Sequence, residues 1–289
     1  MTFLLSVLIP SYNYKKGIKK ILNGFSLCNR SLLENIEIII GDDSNKKLLS
    51  TKELDLYKNT IPNLIYIHNI KKLYIDNWNN LISISKSKYF WLLHHDEELD
   101  DPINNIENIL NYLKTGYYGY IIQVIKKRSY KIRNLKITTK IKHTPPKKLV
   151  NYFLNNTNLF LYINIIGPPS AVILCRERKE TYRRNLNWLV DVDYFRRVFK
   201  NLPLKKIKVI PYKYASIISN QNYKNSITKI NKLNSKKFWR VKKEEELILK
   251  ISEKRTKKVM AKIIIIWLIF KIYNYLNIKF EFKLIKHKK

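Results

Sequence analysis

The chain has 289 residues and a mass of 34.7 kDa, enough for one large or two small domains, and its 45% hydrophobic content excludes general disorder. Lys and Arg number 56 against 22 Asp and Glu, a net charge of +34 that fits either attraction to polyanions or a composition skewed toward Lys, Ile, Asn and Tyr. Two cysteines, Cys28 and Cys175, are too few for a disulfide framework, and without a CxxC or Cys/His cluster they imply a reducing compartment and no zinc site.

The opening "MTFLLSVLIPSYN" lacks a charged n-region and is interrupted by Pro10, so 3–10 reads as a first buried strand rather than a signal peptide. Ile18, Ile21, Leu22 and Phe25 then fall at helical spacing. "IEIIIG" (36–41) is a second strand ending at "DDSN", and "NLIYIHN" (63–69) a third. The pattern continues with a helix over 77–87, a strand over 88–95, a helix over 104–114 and a strand over 120–126.

Residues 127–160 are basic and irregular, with "TPP" (144–146) as a breaker, which predicts a loop and a short helix. "GPPSAVILC" (167–175) combines a turn with a strand, 188–200 is helical, and 205–217 is strand-like. From 227 onward the composition shifts to Lys, Glu and Ile in a strongly helical pattern. The longest apolar run, 263–270, is bracketed by Lys262 and Lys271 and falls well short of the roughly 18–20 residues that span a bilayer.

Strands that alternate with helices, and that read as continuous apolar runs, predict an α/β fold with a mostly parallel sheet covered on both faces. In such sheets ligands bind beyond the carboxyl ends of the strands. Three polar clusters fall there: "SYN" (11–13), "DDS" (42–44) and "HHDEE" (94–98).

Five acids crowd into 96–101 of this basic chain, directly after an apolar strand. Carboxylates at such a point suit Mg²⁺ or Mn²⁺, which take one or two protein oxygens and leave other positions to substrate phosphates. Asp96 is the first candidate, Glu97 and Glu98 the second, while Asp100 and Asp101 precede Pro102 and fit a helix cap. His94 and His95 are adjacent on a strand and so face opposite ways. Asp42 and Asp43 fit either a turn or a carboxylate site for a nucleobase N–H or a ribose hydroxyl. Asp191 and Asp193 fit either a helix cap or a general base. No GxSxG, Walker A or GxGxxG motif occurs, nor a recognisable nucleic-acid module.

"SVLIPSYN", "IEIIIGDDSN", "NWNNLISISKSKYFWLLHHDEEL", "GPPSAVI" and "WLVDVDYFRRV", in that order over roughly 4–220, resemble the family 2 glycosyltransferases. The resemblance implies a GT-A fold, a Rossmann-like sheet flanked by helices, in residues 1–220, followed by a basic, largely helical extension over 221–289. It implies an inverting transfer from a nucleotide-diphosphate sugar to a hydroxyl of a saccharide or lipid-linked acceptor, in surface polysaccharide or glycolipid synthesis. Pro10, Ser11, Tyr12, Asn13, Asp42 and Asp43 would then border the nucleotide, Asp96 would hold Mn²⁺ or Mg²⁺, and Asp191 would deprotonate the acceptor.

The chain departs from the family pattern at His94, where an Asp of the metal motif is expected, at Glu97, where another Asp often lies, and at Val190, where Glu usually precedes the base. The alternative these departures raise is a catalytically weak relative that serves as a scaffold. The extension, with Trp267, several Tyr and terminal Lys, fits a helix lying on an anionic membrane, packing on the catalytic domain or meeting a second subunit; "IKFEFKL" (278–284) alternates like a strand or pairing arm. The corresponding location is the cytoplasm, with attachment to the inner membrane face as a further expectation, and no specific nucleic acid as partner.

Overall fold

In the computed structural model the described residues are 3–132, 135–143, 145–211, 213–220, 235–249 and 278–284, with single helical positions at 265, 268 and 272. The first half follows the predicted alternation: β1 (Leu5–Ser11), α1 (Lys15–Ser26), α2 (Arg30–Leu33), β2 (Ile36–Asp42), α3 (Thr51–Thr60), β3 (Leu64–His68), α4 (Ile75–Ile84) and β4 (Tyr89–Leu92). Every residue of β1, β2 and β4 is buried, as continuous apolar runs require in a sheet covered on both faces. Helix α1 buries Ile18, Ile21, Leu22 and Phe25, the four residues whose spacing predicts it.

Helix α3 has no counterpart in the sequence reading, for a physical reason. It buries none of its residues, so it carries no apolar period. It is started instead by a capping box, in which Ser50 Oγ accepts from Glu53 N at 3.3 Å and Glu53 Oε2 accepts from Ser50 N at 2.8 Å.

Downstream lie β5 (Glu97–Leu99), α5 (Pro102–Leu113), β6 (Gly119–Ile121), β7 (Gln123–Ile132), β8 (Leu135–His143), α6 (Lys147–Asn155), β9 (Val172–Cys175), α7 (Val190–Lys200), β10 (Ile207–Val209), β11 (Ser216–Asn220), α8 (Ser235–Ile248) and β12 (Ile278–Leu284). Two sheets result, one in the order β10-β6-β9-β4-β1-β2-β3 and the other β12-β8-β7-β11-β5. Neighbours within β4-β1-β2-β3 run parallel, and β9 is antiparallel to both β4 and β6. This is the predicted α/β class with a mostly parallel main sheet.

Three expectations change. Residues 127–132 and 135–143 belong to the antiparallel pair β7–β8 rather than to a loop; Lys126, Lys127 and Arg128 interrupt the apolar run that starts β7, so the segment reads as irregular in sequence, and the predicted short helix is α6. The predicted strand over 205–217 splits at Pro211, which cannot donate to a ladder, into β10 in the main sheet and β11 in the second sheet. The acid-rich segment after β4 is not all turn: Glu97–Leu99 crosses into the second sheet and pairs antiparallel with β11. The alternating 278–284 segment is a strand on the edge of β8, so the extension contributes to the second sheet. The apolar run at 263–270 lies largely outside the described residues, and among these no helix is long and apolar enough to cross a membrane.

A buried carboxylate ties the main sheet to the loop before β4. Glu37, 1% exposed on β2, sits beside Ser6 of β1 in register. It accepts from Ser6 Oγ, from Lys86 N at 2.6 Å, and from Ser87 N and Ser87 Oγ, both at 3.1 Å. Glu37→Ala leaves these donors without an acceptor and is expected to cost about 3 kcal/mol of stability. Exposed Glu34→Ala should change it by less than about 0.5 kcal/mol. Urea unfolding midpoints that move equally for the two variants would contradict this.

Candidate active site

The parallel register brings the ends of β1, β2 and β4 to one line. Ser11 pairs with Asp42, and Leu93 N extends the β1–β4 ladder to Leu8 O at 2.9 Å. The loops that follow are stitched together: Asp43 N donates to Ser11 O at 2.9 Å, Asn13 N to Ser44 Oγ at 2.7 Å, and His95 Nδ1 lies 3.1 Å from Pro10 O. Asn13 adopts the left-handed conformation, φ 50°, as it turns out of β1. Two glycines permit close approach here. A methyl on Gly17 would collide with the His95 carbonyl, and one on Gly41 with the Asn77 side chain, whose Nδ2 donates to Gly41 O at 2.8 Å.

Asp42 is fully buried and accepts from Ser44 N and Leu48 N, both at 2.9 Å, and from the Tyr66 hydroxyl. Asp43 accepts from Asn69 Nδ2 at 2.8 Å, Leu73 N at 3.2 Å and Tyr74 N at 3.0 Å. Both aspartates therefore hold loops, the turn reading of "DDS"; each carboxylate retains capacity for another donor. Tyr12 is half-buried, with Lys72 Nζ 3.5 Å from its ring centroid and 4.3 Å from that of Tyr74.

The acids of 96–101 divide by environment. Asp101 caps α5, accepting from Asn104 N at 3.4 Å with Pro102 next, and Asp100 accepts from Ser216 Oγ at 3.4 Å. Glu98 pairs with Lys20 and, at 3.5 Å, with Lys127. Glu97 is 2% exposed and accepts from His94 N at 3.0 Å. Burial, reinforced by the Asp96 and Asp191 charges, pushes its carboxyl up to about 8, and the buried Ser170 hydroxyl faces it outside hydrogen-bond geometry. Asp96 is half-buried between these groups.

His94 stands against Trp78, ring centroids 4.9 Å apart, and burial pushes its imidazole down to about 4 despite the nearby Asp96. Its Nε2 is buried without a hydrogen-bond partner. His95 goes another way, edge-on to Tyr14 at 5.6 Å; both histidines lie past β4, which ends at Leu92 rather than running to 95 as the sequence predicts. Among the described residues no group of three or more His, Cys, Asp and Glu could hold a metal ion. The half-buried Asp96 carboxylate and the unpartnered, neutral His94 Nε2 do fit a divalent ion that draws its remaining ligands from a diphosphate and water.

The opposite wall is α7. Asp193 is fully buried and paired with Arg196 at 3.1 Å, Arg197 at 2.9 Å and Arg183 at 3.4 Å. Neither it nor Asp191 caps the helix, whose N-cap, Leu189, makes no side-chain cap bond. Asp191 is half-buried, and its desolvation by the protein packed around it raises its carboxyl to about 7. Val190 is buried in the core. The walls are joined by aromatic rings that sequence reasoning missed, because an aromatic at helical spacing reads as core. Trp78 meets Tyr182 at 5.0 Å, and Tyr182 stacks on Tyr194 at 3.8 Å.

The raised Glu97 and Asp191 carboxyls have a consequence for stability. Glu97 holds its proton up to about 8 when folded but only to about 4.5 as a free side chain, and Asp191 holds its own up to about 7 against 3.8. Between those limits the folded state binds more protons at these two carboxyls, which lowers stability as pH rises, whereas the buried His94, His95 and His143, whose proton affinities are pushed down, raise it up to about pH 6.5. Above that the carboxyls dominate, and stability falls from about pH 6.5 to about 8. Glu97→Gln should remove much of that slope; denaturation midpoints across this range that keep the wild-type slope in the variant would contradict it.

The sequence profile of glycosyl transferase family 2 matches residues 6–178, more than half of the chain. No curated protein matches significantly. Among solved structures, S. aureus TarS 1–349 in complex with UDP-GlcNAc aligns with TM-score 0.56 at 14% identity, over 76% of this chain and 59% of that one. S. aureus TarS aligns with TM-score 0.53 at 13% identity, over 75% of this chain and 37% of its own length. The chain thus spans less than two thirds of the proteins it resembles, and the likeness concerns the fold. With its profile matched over more than half of the sequence, the chain belongs to glycosyl transferase family 2.

Proposed function

We propose that this family 2 glycosyltransferase moves a sugar from a nucleotide-diphosphate donor to a hydroxyl of a saccharide or lipid-linked acceptor, with inversion, in the synthesis of a surface polysaccharide or glycolipid. One observation supports the reading: the buried Glu97 lies near enough to Asp96, past the end of β4, and to Asp191, on α7, for the charges of both to raise its carboxyl, as two carboxylates serving one reaction would require. A similar protein, TarS, is known in complex with UDP-GlcNAc, which supports a uridine nucleotide-sugar as the first donor to try.

In this reading Pro10, Ser11, Tyr12 and Asn13 border the nucleotide, and Asp42 and Asp43 fix the loops against its base. Asp96, with His94 Nε2 beside it, holds Mn²⁺ or Mg²⁺, which when bound supplies positive charge to the departing diphosphate. Asp191 accepts the proton of the acceptor hydroxyl, whose oxygen attacks the anomeric carbon from the side opposite the nucleotide. Its carboxyl, raised to about 7, is poised near neutral pH, where a base both ionises and retains affinity for a proton. The neutral, buried Glu97 beside Asp96 avoids adding a further negative charge against the donor. The protein works in the cytoplasm, with the basic 221–289 extension toward an anionic membrane face or a second copy of the chain.

Release of nucleoside diphosphate from a panel of UDP-, GDP-, dTDP- and CDP-sugars, with Mn²⁺ present, tests this reading. Turnover of one donor should rise through about pH 7 as Asp191 ionises. Asp191→Asn should lower it by roughly 10²–10⁴-fold. Wild-type turnover in that variant would exclude the assigned base.

A further inference from the structure

Helix α8 carries three consecutive glutamates, 244–246, which read in sequence as a solvated face. Two behave that way: Glu244 pairs with Arg240 at 3.3 Å and Glu246 with Lys242 at 3.6 Å, each one turn apart along the helix. Glu245 points inward and is 2% exposed. Four residues on, just past the helix, Leu249 joins the hydrophobic core, so the end of α8 is docked at Glu245 and Leu249.

The Glu245 carboxylate receives three consecutive backbone amides at the entry to α7. Oε1 accepts from Asn187 N at 2.5 Å and Trp188 N at 3.0 Å, and Oε2 accepts from Trp188 N at 3.0 Å and Leu189 N at 2.7 Å. Helix N-termini leave amides without intrahelical acceptors, and a side chain at the N-cap normally supplies one. Leu189 supplies none. Glu245 does a different job from such a cap: 56 positions from Leu189, it accepts from the N-cap amide itself and from the two amides before it, and its negative charge lies near the positive end of the α7 dipole.

We propose that Glu245 is a positioning residue: from the C-terminal extension it clamps the 187–189 turn and so sets where α7 presents Asp191. The proposal rests on the reading of Asp191 as base. Asp191 follows the clamped turn by two residues, so any re-solvation of those amides moves its carboxyl. A displacement of about 1 Å in a reacting group can cost about 10²-fold in rate. The clamp also gives the extension a part in the reaction, since it joins a segment beyond the family-like region to the helix that bears the base.

The test compares Glu245→Ala and Glu245→Gln in the full chain, using the nucleotide-sugar hydrolysed fastest by the wild type. Two quantities are read, kcat and KM for hydrolysis, and the Asp191 carboxyl titration followed by carbon NMR. In Glu245→Ala, kcat should fall about ten-fold or more with donor KM within about two-fold, and Glu245→Gln, which keeps one acceptor oxygen, should lie between. In both variants the Asp191 titration should move down from about 7 as water reaches the loosened helix entry. A purely structural role would lower the melting temperature without moving the titration of the folded protein.

Folded Glu245→Gln with wild-type kcat and an unmoved Asp191 titration would overturn the proposal, and that variant decides alone if Glu245→Ala fails to fold. Asp191→Asn separates the two readings. If it retains turnover, the base assignment falls; if it is inactive while both Glu245 variants match wild type, only the positioning role falls.

Discussion

The candidate site depends on the parallel, in-register pairing of β1 with β2 and β4. Because Ser11 lies opposite Asp42 and the β4 ladder runs on to Leu93, three loops leave the sheet side by side and can bond to one another. A register slip of one residue would turn every buried side chain of those strands to the other face. It would also separate His95 from the Pro10 carbonyl and Asn13 from Ser44. The many apolar contacts of the sheet thereby fix the position of a few polar groups, which could not hold themselves in place.

Charge is distributed unevenly across that frame. Several acids are matched to cations: Glu53 to Lys15 and Lys19, Glu98 to Lys20 and Lys127, and Asp193 to three arginines. Within the cleft, Glu97 and Asp191 instead show raised proton affinities, because burial is the dominant influence on both. A carboxyl held in that state keeps its proton to higher pH, and its ionised form is favoured only when a cation or a hydrogen-bond donor comes near. That is the electrostatic setting a cation-bridged diphosphate and a general base both need.

Strands β1 to β4, the helices with an apolar period and the three polar strand-end clusters were legible in the sequence, since buried runs and 3.6-residue spacing are written in single residues. Helix α3 was not, because its capping box rather than an apolar face starts it. The β7–β8 pair was hidden by its lysines, and the break at Pro211 sent two adjacent short strands to different sheets. At the site, the aspartates could be singled out by position. The unpartnered His94 Nε2, the Trp78–Tyr182–Tyr194 wall and the inward turn of Glu245 could not, because each depends on contacts between segments distant in the chain.

The central claim is that the ends of β1, β2 and β4 form one donor site whose metal is held at Asp96. Calorimetric titration of UDP into the protein, with and without Mn²⁺, addresses it most directly. The account predicts binding that Mn²⁺ strengthens by about ten-fold or more in the wild type, equivalent to about 1.4 kcal/mol, and that Asp96→Ala makes independent of Mn²⁺. Equal strengthening by Mn²⁺ in the wild type and in Asp96→Ala would contradict it.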